Sequence, residues 1–169
     1  TSVVAHYDAD ILLRPQQIKA SVKAILENSA DLVYPYDGRF YDVPKKYHNE
    51  IESTKDLKFI DLEECTLFNS HSVGGVVIFN KDHYWKCGGA NENFKGLGYE
   101  DNEIHDRFLK LGSRIVRTQW PLYHLTHVRK DTSFNHNPHI ELNKHECLRV
   151  SRMTKEELLT EVSSWDWAK

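Results

Sequence analysis

The feature that most constrains this chain is its opening, where an apolar run from Ser2 to Tyr7 ends directly on two carboxylates, Asp8-Ala9-Asp10. Val3, Val4 and Ala5 give the run the character of a strand. Pro15 then stands where a helix can begin without a lost N–H bond. Ile18, Val22, Ile25 and Leu26 lay an apolar stripe along one face of that helix before Asn28. Asp31 to Tyr36 (DLVYPY) reads as the next strand. The opening residues therefore form a β-α-β unit with the acids at its carboxyl edge, where open α/β sheets bind ligands.

Downstream the pattern changes. From Asp37 to about Ser70 it is irregular, polar and aromatic, a variable insertion with a short helix around Lys45–Ser53. Gly74 to Asn80 (GGVVIFN) reads as a buried strand, followed by a short helix from Asp82 to Cys87 and the turn Gly88-Gly89. Gly96 to Tyr99 reads as a tight turn ahead of a helix from Glu100 to Leu111, stopped by Gly112. Ile104, Phe108 and Leu111 give that helix an apolar face, and Glu100, Asp101 and Glu103 sit in its first turn, where the macrodipole favours acids. Ser113 to Thr118 reads as a strand. Thr154-x-x-Glu157 is a capping box ahead of Leu158, Leu159 and Val162. No repeat, low-complexity tract or linker divides the chain, so residues 1–169 read as a single domain.

Charge and composition exclude several function classes. A net charge of -3 with mixed signs offers no basic stripe for a nucleic-acid backbone. No stretch reaches the ~18 apolar residues of a transmembrane segment. Cys65, Cys87 and Cys147 are an odd number without CxxC spacing, against both a disulfide framework and a thiolate zinc site. With no basic and apolar leader and no Asn-x-Ser/Thr site, a reducing, cytoplasmic location is expected. No heptad specifies an oligomeric state.

Chemistry can rest on several groups. Two carboxylates one residue apart at a strand end, Asp8 and Asp10, can hold a hard cation such as Mn²⁺ or Mg²⁺, which neutralises a diphosphate; a solvated turn looks the same in sequence. In Gly96 to Glu103 (GLGYEDNE) the glycines let backbone approach a ligand and the acids can orient and deprotonate a sugar hydroxyl. The alternative is a capped helix whose acids serve the dipole. His124-Leu125-Thr126-His127 offers two imidazoles that can meet one ion if the backbone there is helical or turned, with further histidines at His136, His139 and His145; such pairs are otherwise structural. There is no HExxH.

Taken in order, these groups resemble a known pattern. The stretch Gly74 to Phe108, GGVVIFNKDHYWKCGGANENFKGLGYEDNEIHDRF, is similar to the C-terminal signature of the β1,4-galactosyltransferase and chondroitin-polymerase-like glycosyltransferases of the GT-A type. The resemblance runs from about Val3 to His127, with the Asp-x-Asp upstream and a histidine downstream. It implies a GT-A-like mixed α/β sheet flanked by helices, an inverting metal-dependent enzyme, a UDP-sugar donor and a glycan or glycolipid acceptor. Galactose or N-acetylgalactosamine is the implied sugar. By the same resemblance Asp10, His127 and His124 are ligands of Mn²⁺ (or Mg²⁺), with His124 where vertebrate enzymes have methionine. Asp8 lies near the ribose or metal, Gly74 and Gly75 line the donor-sugar pocket, and Gly96 and Gly98 form the acceptor-side turn. Asp101 is the general base, and Glu100 holds donor or acceptor hydroxyls.

Departures qualify the resemblance. The family's Trp-Gly-Trp-Gly-Gly is here Lys95-Gly96-Leu97-Gly98-Tyr99, which removes the indole that stacks on the acceptor. Asn102 replaces an acid of the vertebrate enzymes, as in bacterial relatives. That points to bacterial surface polysaccharide synthesis by an enzyme peripheral to the inner membrane. The triplet comes at residue 8, where the family places it after several βα units that grip the nucleotide. The chain is expected to lack most of that N-terminal nucleotide-binding half and to turn over poorly alone. A metal-dependent phosphohydrolase and a non-catalytic carbohydrate-binding or interaction module of the same fold remain alternatives.

Overall fold

The computed structural model describes residues 1–127 and 137–168. In chain order the elements are β1 (Val3–Tyr7), β2 (Ile11–Leu12), α1 (Pro15–Leu26), β3 (Leu32–Tyr34), β4 (Phe40–Val43), α2 (His48–Thr54), β5 (Thr66–Asn69) and β6 (Val76–Asn80). They continue with α3 (Lys81–Lys86), α4 (Glu100–Lys110), β7 (Ile115–Arg117), β8 (Leu122–Leu125), α5 (Ile140–Arg152) and α6 (Lys155–Ser164).

The strands form two four-stranded sheets, both mixed. In the first, ordered β1-β6-β3-β7, β6 runs antiparallel to both β1 and β3, and β3 runs parallel to β7. The expected β-α-β unit is present with β6 inserted between its strands. Alternation along β3 and through Val77, Ile78 and Phe79 of β6 buries both faces. Val33 and Ile78 pack with Ile25 and Ile18 of α1, whereas Leu32, Tyr34, Val77 and Phe79 pack with Tyr84 of α3 and Ile104 and Phe108 of α4. Each fully buried residue of this kind is worth roughly 1.5–3 kcal/mol. The Pro15 helix start, the helix from Glu100 and the Thr154/Glu157 capping box form as the sequence indicates.

The second sheet, ordered β2-β8-β4-β5, is the main difference from expectation. The stretch 37–70 is not irregular: it supplies β4 and β5 and, through Ile51, Leu57 and Ile60, a separate core beneath Val43 and Tyr123. Its short strands form because β8, about eighty positions later, pairs in parallel with β4, with Asp42 opposite His124. No local signal carries such a partner. The outer strand β5 is exposed along its whole length. Among the described residues no helix is long and apolar enough to cross a membrane, and Cys65, Cys87 and Cys147 are unbridged.

One buried ion pair ties α4 to the rest. Arg107, fully buried, donates from Nε to Glu103 at 2.6 Å and from Nη2 to the Gly89 carbonyl at 2.8 Å. It also bonds the Cys87 carbonyl, and its guanidinium lies 5.1 Å from the Trp165 ring centroid. The turn Gly88-Gly89 is thereby pinned between α4 and the C-terminal helices. Arg107→Leu leaves a buried carboxylate and two carbonyls without their donor. It is expected to cost about 3–5 kcal/mol, read as a lower urea midpoint at unchanged slope.

Candidate functional site

The acids Asp8 and Asp10 lie where the chain leaves β1 in one sheet and enters β2 in the other. The Asp8 amide donates to the Gly75 carbonyl at 3.0 Å, fastening this crossing to the start of β6. Ile11, the next residue after Asp10, pairs with His124, and the Leu125 amide donates to the Asp10 carbonyl at 2.9 Å. Pairing of β2 with β8 therefore carries Asp10 to the histidines.

His124 and His127 do meet, although not on a helix. His124 lies nearly buried in β8, one residue before its end, and the chain then bends, with the Thr126 hydroxyl donating to the Val43 carbonyl at 2.8 Å. The bend brings His127 Nε2 to 2.9 Å from Asp10 Oδ2, and His124 Nε2 stands 3.3 Å from the same oxygen. Among the described residues, Asp10, His124 and His127 form a group whose donor atoms all lie within 4.8 Å of one another. Asp42 completes it from β4. Its Oδ1 accepts from His124 Nδ1 at 2.7 Å, which fixes the ring and turns Nε2 toward Asp10. One carboxylate and two imidazoles, one of them oriented by a further carboxylate, suit Mn²⁺ or Zn²⁺. His139 lies at the start of α5 and His145 within it; His136 falls outside the described residues.

Asp42 was missed because 37–70 read as an insertion. The alternation of Tyr41 and Val43 around Asp42 was the available signal of a strand.

The second half of the site is acidic and glycine-lined. Tyr99 caps α4 in a left-handed conformation and delivers Glu100 and Asp101 into its first turn. A Cβ at Gly74 would collide with Asp101 Oδ2, so the glycine makes room for this carboxyl, and the Tyr36 hydroxyl donates to the Gly74 carbonyl at 2.7 Å. Burial, then the charges of Glu100 and Asp8, push Asp101 up to about 7. Burial also raises Glu100, against the backbone hydrogen bonds it receives, one of them from the Gly98 amide at 2.5 Å. Glu100 thus braces the turn before its own helix. Although much of Asp8 faces solvent, crowding by protein and then the charge of Asp10 raise it too.

The glycines divide into different kinds. Gly96 and Gly98 have φ of +68° and +119°, values that favour glycine. Gly75 has φ +83°, and a Cβ there would meet Leu122, Ile11 and Phe40 at 3.1–3.2 Å. Its neighbours are apolar side chains of three strands of the second sheet, β2, β4 and β8.

Known proteins match this region. A family model described as the N-terminal domain of galactosyltransferase matches residues 57–131, which include Gly74, Gly75, Glu100, Asp101, His124 and His127. Beta-1,4-galactosyltransferase 7 of Mus musculus is 38% identical over 45 residues, covering 27% of this chain and 14% of that protein; the Homo sapiens protein gives the same figures. The matched stretch thus spans about one-seventh of these curated relatives. Over this stretch the chain is similar to galactosyltransferase-type glycosyltransferases, as its ordered motifs imply.

The Asp42 contact gives a direct test. Asp42→Ala removes the group that orients His124 and is expected to weaken Mn²⁺ binding about 10–100-fold. Electron paramagnetic resonance of the free ion measures this, with circular dichroism checking that the fold is kept.

Proposed function

We propose that this chain forms the metal-side and acceptor-side part of an inverting glycosyltransferase that moves a galactose- or N-acetylgalactosamine-like sugar from a UDP donor to a glycan or glycolipid acceptor. The observation that carries this reading is the joining of two unlike groups across one short path. The cluster Asp10, His124 and His127 is linked through Asp8 and Gly75 to Gly74, against which the Asp101 carboxyl rests. The galactosyltransferase match supports it independently.

Asp10, His124 and His127 would hold a divalent Mn²⁺ or Mg²⁺, whose charge would neutralise the departing diphosphate. The chain's own residues do the rest. Asp101 in its carboxylate form takes the proton of the acceptor hydroxyl. The acceptor oxygen then bonds to the anomeric carbon while the bond from that carbon to the diphosphate oxygen breaks, its electron pair leaving with the diphosphate. Glu100, beside Asp101 and tied to the Gly98 amide, fixes the turn that borders the acceptor. The missing side chain at Gly74 lets the Asp101 carboxyl lie against the backbone at the start of β6. Leu97, exposed at the tip of this turn, offers apolar surface where the family has an indole.

In a phosphohydrolase the same ligands would serve, but Asp101 would have no acceptor hydroxyl to deprotonate. The setting in bacterial surface polysaccharide synthesis has no counterpart in the two relatives, which are mouse and human proteins.

The first test is a Mn²⁺ titration with and without UDP on this chain and on Asp10→Asn. Binding that UDP strengthens and the substitution abolishes supports the reading; binding indifferent to both overturns it. Where UDP-galactose turnover is measured, Asp101→Asn is expected to lower transfer by about 10²–10⁴-fold with Mn²⁺ affinity unchanged. UDP release without sugar transfer would favour hydrolysis.

The pH dependence follows from Asp101. Transfer rises with pH as this carboxyl ionises around 7. The fold responds in the opposite sense. A carboxyl raised from 3.8 to about 7 contributes stability that is fully present below its unfolded value and is lost as pH climbs through the folded one. Asp101→Asn is therefore expected to flatten the loss of stability between pH 4 and 7 in denaturation curves.

A further inference from the structure

The segment from Asn91 to Tyr99 contains no helix or strand, yet it runs straight into α4 and decides where Glu100 and Asp101 stand. What holds it is a pair of buried amides. Asn143, at 1% exposure within α5, donates from Nδ2 to the Lys95 carbonyl at 3.1 Å and accepts from the Lys95 amide at Oδ1 at 3.0 Å. Asn137, also buried, donates from Nδ2 to the carbonyls of Lys95 at 2.8 Å and Leu97 at 2.7 Å. The two amides replace the ladder that a strand would have provided and grip the backbone on both sides of Gly96. A Cβ at Gly96 would press on the Asn137 amide at 3.1 Å, so the glycine is what lets the grip close.

Asparagine is a poor choice for a helix interior, and a buried amide is costly unless its bonds are made. An apolar residue at 143 would pack with less penalty. The amide is explained by the backbone it holds.

We propose that Asn137 and Asn143 are positioning residues for the Glu100–Asp101 carboxylate pair, setting the turn whose end delivers Asp101 over Gly74. The catalytic consequence rests on the transferase reading given above; the positional one does not. Asn137 and Asn143 touch backbone alone in these contacts, and their effect passes through residues 95–98 to the start of α4.

The test uses the full chain and separates these two consequences. Carbon-13 labelling follows the ionisation of Asp101 in the parent, in Asn143→Ala, in Asn137→Ala and in Val150→Ala. Val150 is a buried α5 residue that packs with Leu158, Val162 and Trp165 and so lowers stability away from the turn. Both asparagine variants are expected to move the Asp101 midpoint down by roughly one unit or more, as water reaches a carboxyl held up by burial, and to speed exchange of the Gly98 amide. Val150→Ala is expected to leave the midpoint in place. An unchanged midpoint in the asparagine variants, or an equal fall in Val150→Ala, overturns the proposal. Should Asn143→Ala fail to fold, Asn137→Ala, which lies ahead of α5, decides alone.

The kinetic arm compares transfer from UDP-galactose to a panel of 4-nitrophenyl glycosides. A fall of about tenfold or more in kcat with Mn²⁺ affinity retained is expected. Mn²⁺ binding that UDP does not strengthen in the parent counts against the transferase reading, while the carboxyl titration still decides the positioning.

Discussion

Two sheets that share no strand are joined at Asp8–Asp10, and the site depends on that junction. The chain ends one strand in the first sheet and, after Asp8, Ala9 and Asp10, starts the next in the second. Its carboxylates are thus fixed from both sides, by the Gly75 carbonyl on one and by pairing with β8 on the other. A turn anchored at one end alone would leave two repelling acids free to separate. Here the geometry of two sheets keeps Asp10 facing the imidazoles and Asp8 near enough to Asp101 for its charge to be felt there.

The cost of gathering acids is visible in Asp8, Glu100 and Asp101, all raised above their ordinary values. Burial is the first cause for each, and mutual repulsion adds to it. A cation or a sugar hydroxyl placed among them relieves the same repulsion. The site is therefore least favourable when empty of positive charge and most receptive to partners that bring it.

Much of this was legible in the sequence, for reasons that differ by region. The opening strand, the Pro15 helix, the GGVVIFN strand and the helix from Glu100 each carry their own period and their own stop signals, so local physics was enough. The acid and histidine motifs were found by order along the chain, and their meeting then required only that β8 return beside β2. What could not be read was the second sheet. Its strands are two to four residues long and β4 depends on a parallel partner far away, so the brief alternation of Tyr41 and Val43 around Asp42 does not by itself distinguish 37–70 from loop. Asp42 was lost with them. Asn137 and Asn143 were missed for another reason: single asparagines in a polar tail have no pattern, and their meaning lies in which carbonyls they reach.

The close packing around Gly75 bears on how such a site can change over time. Its neighbours Ile11, Phe40 and Leu122 come from three strands of the second sheet, so any side chain added there is felt by the junction and by that sheet's core together. Gly74, one residue away, faces a single carboxyl on a helix end. The pocket therefore has one wall that selection can reshape stepwise and one that can move only through several compensating substitutions at once. Descendants of this fold that acquire new ligands are constrained to do so from the side of the helix, while the side of the sheets stays as it is.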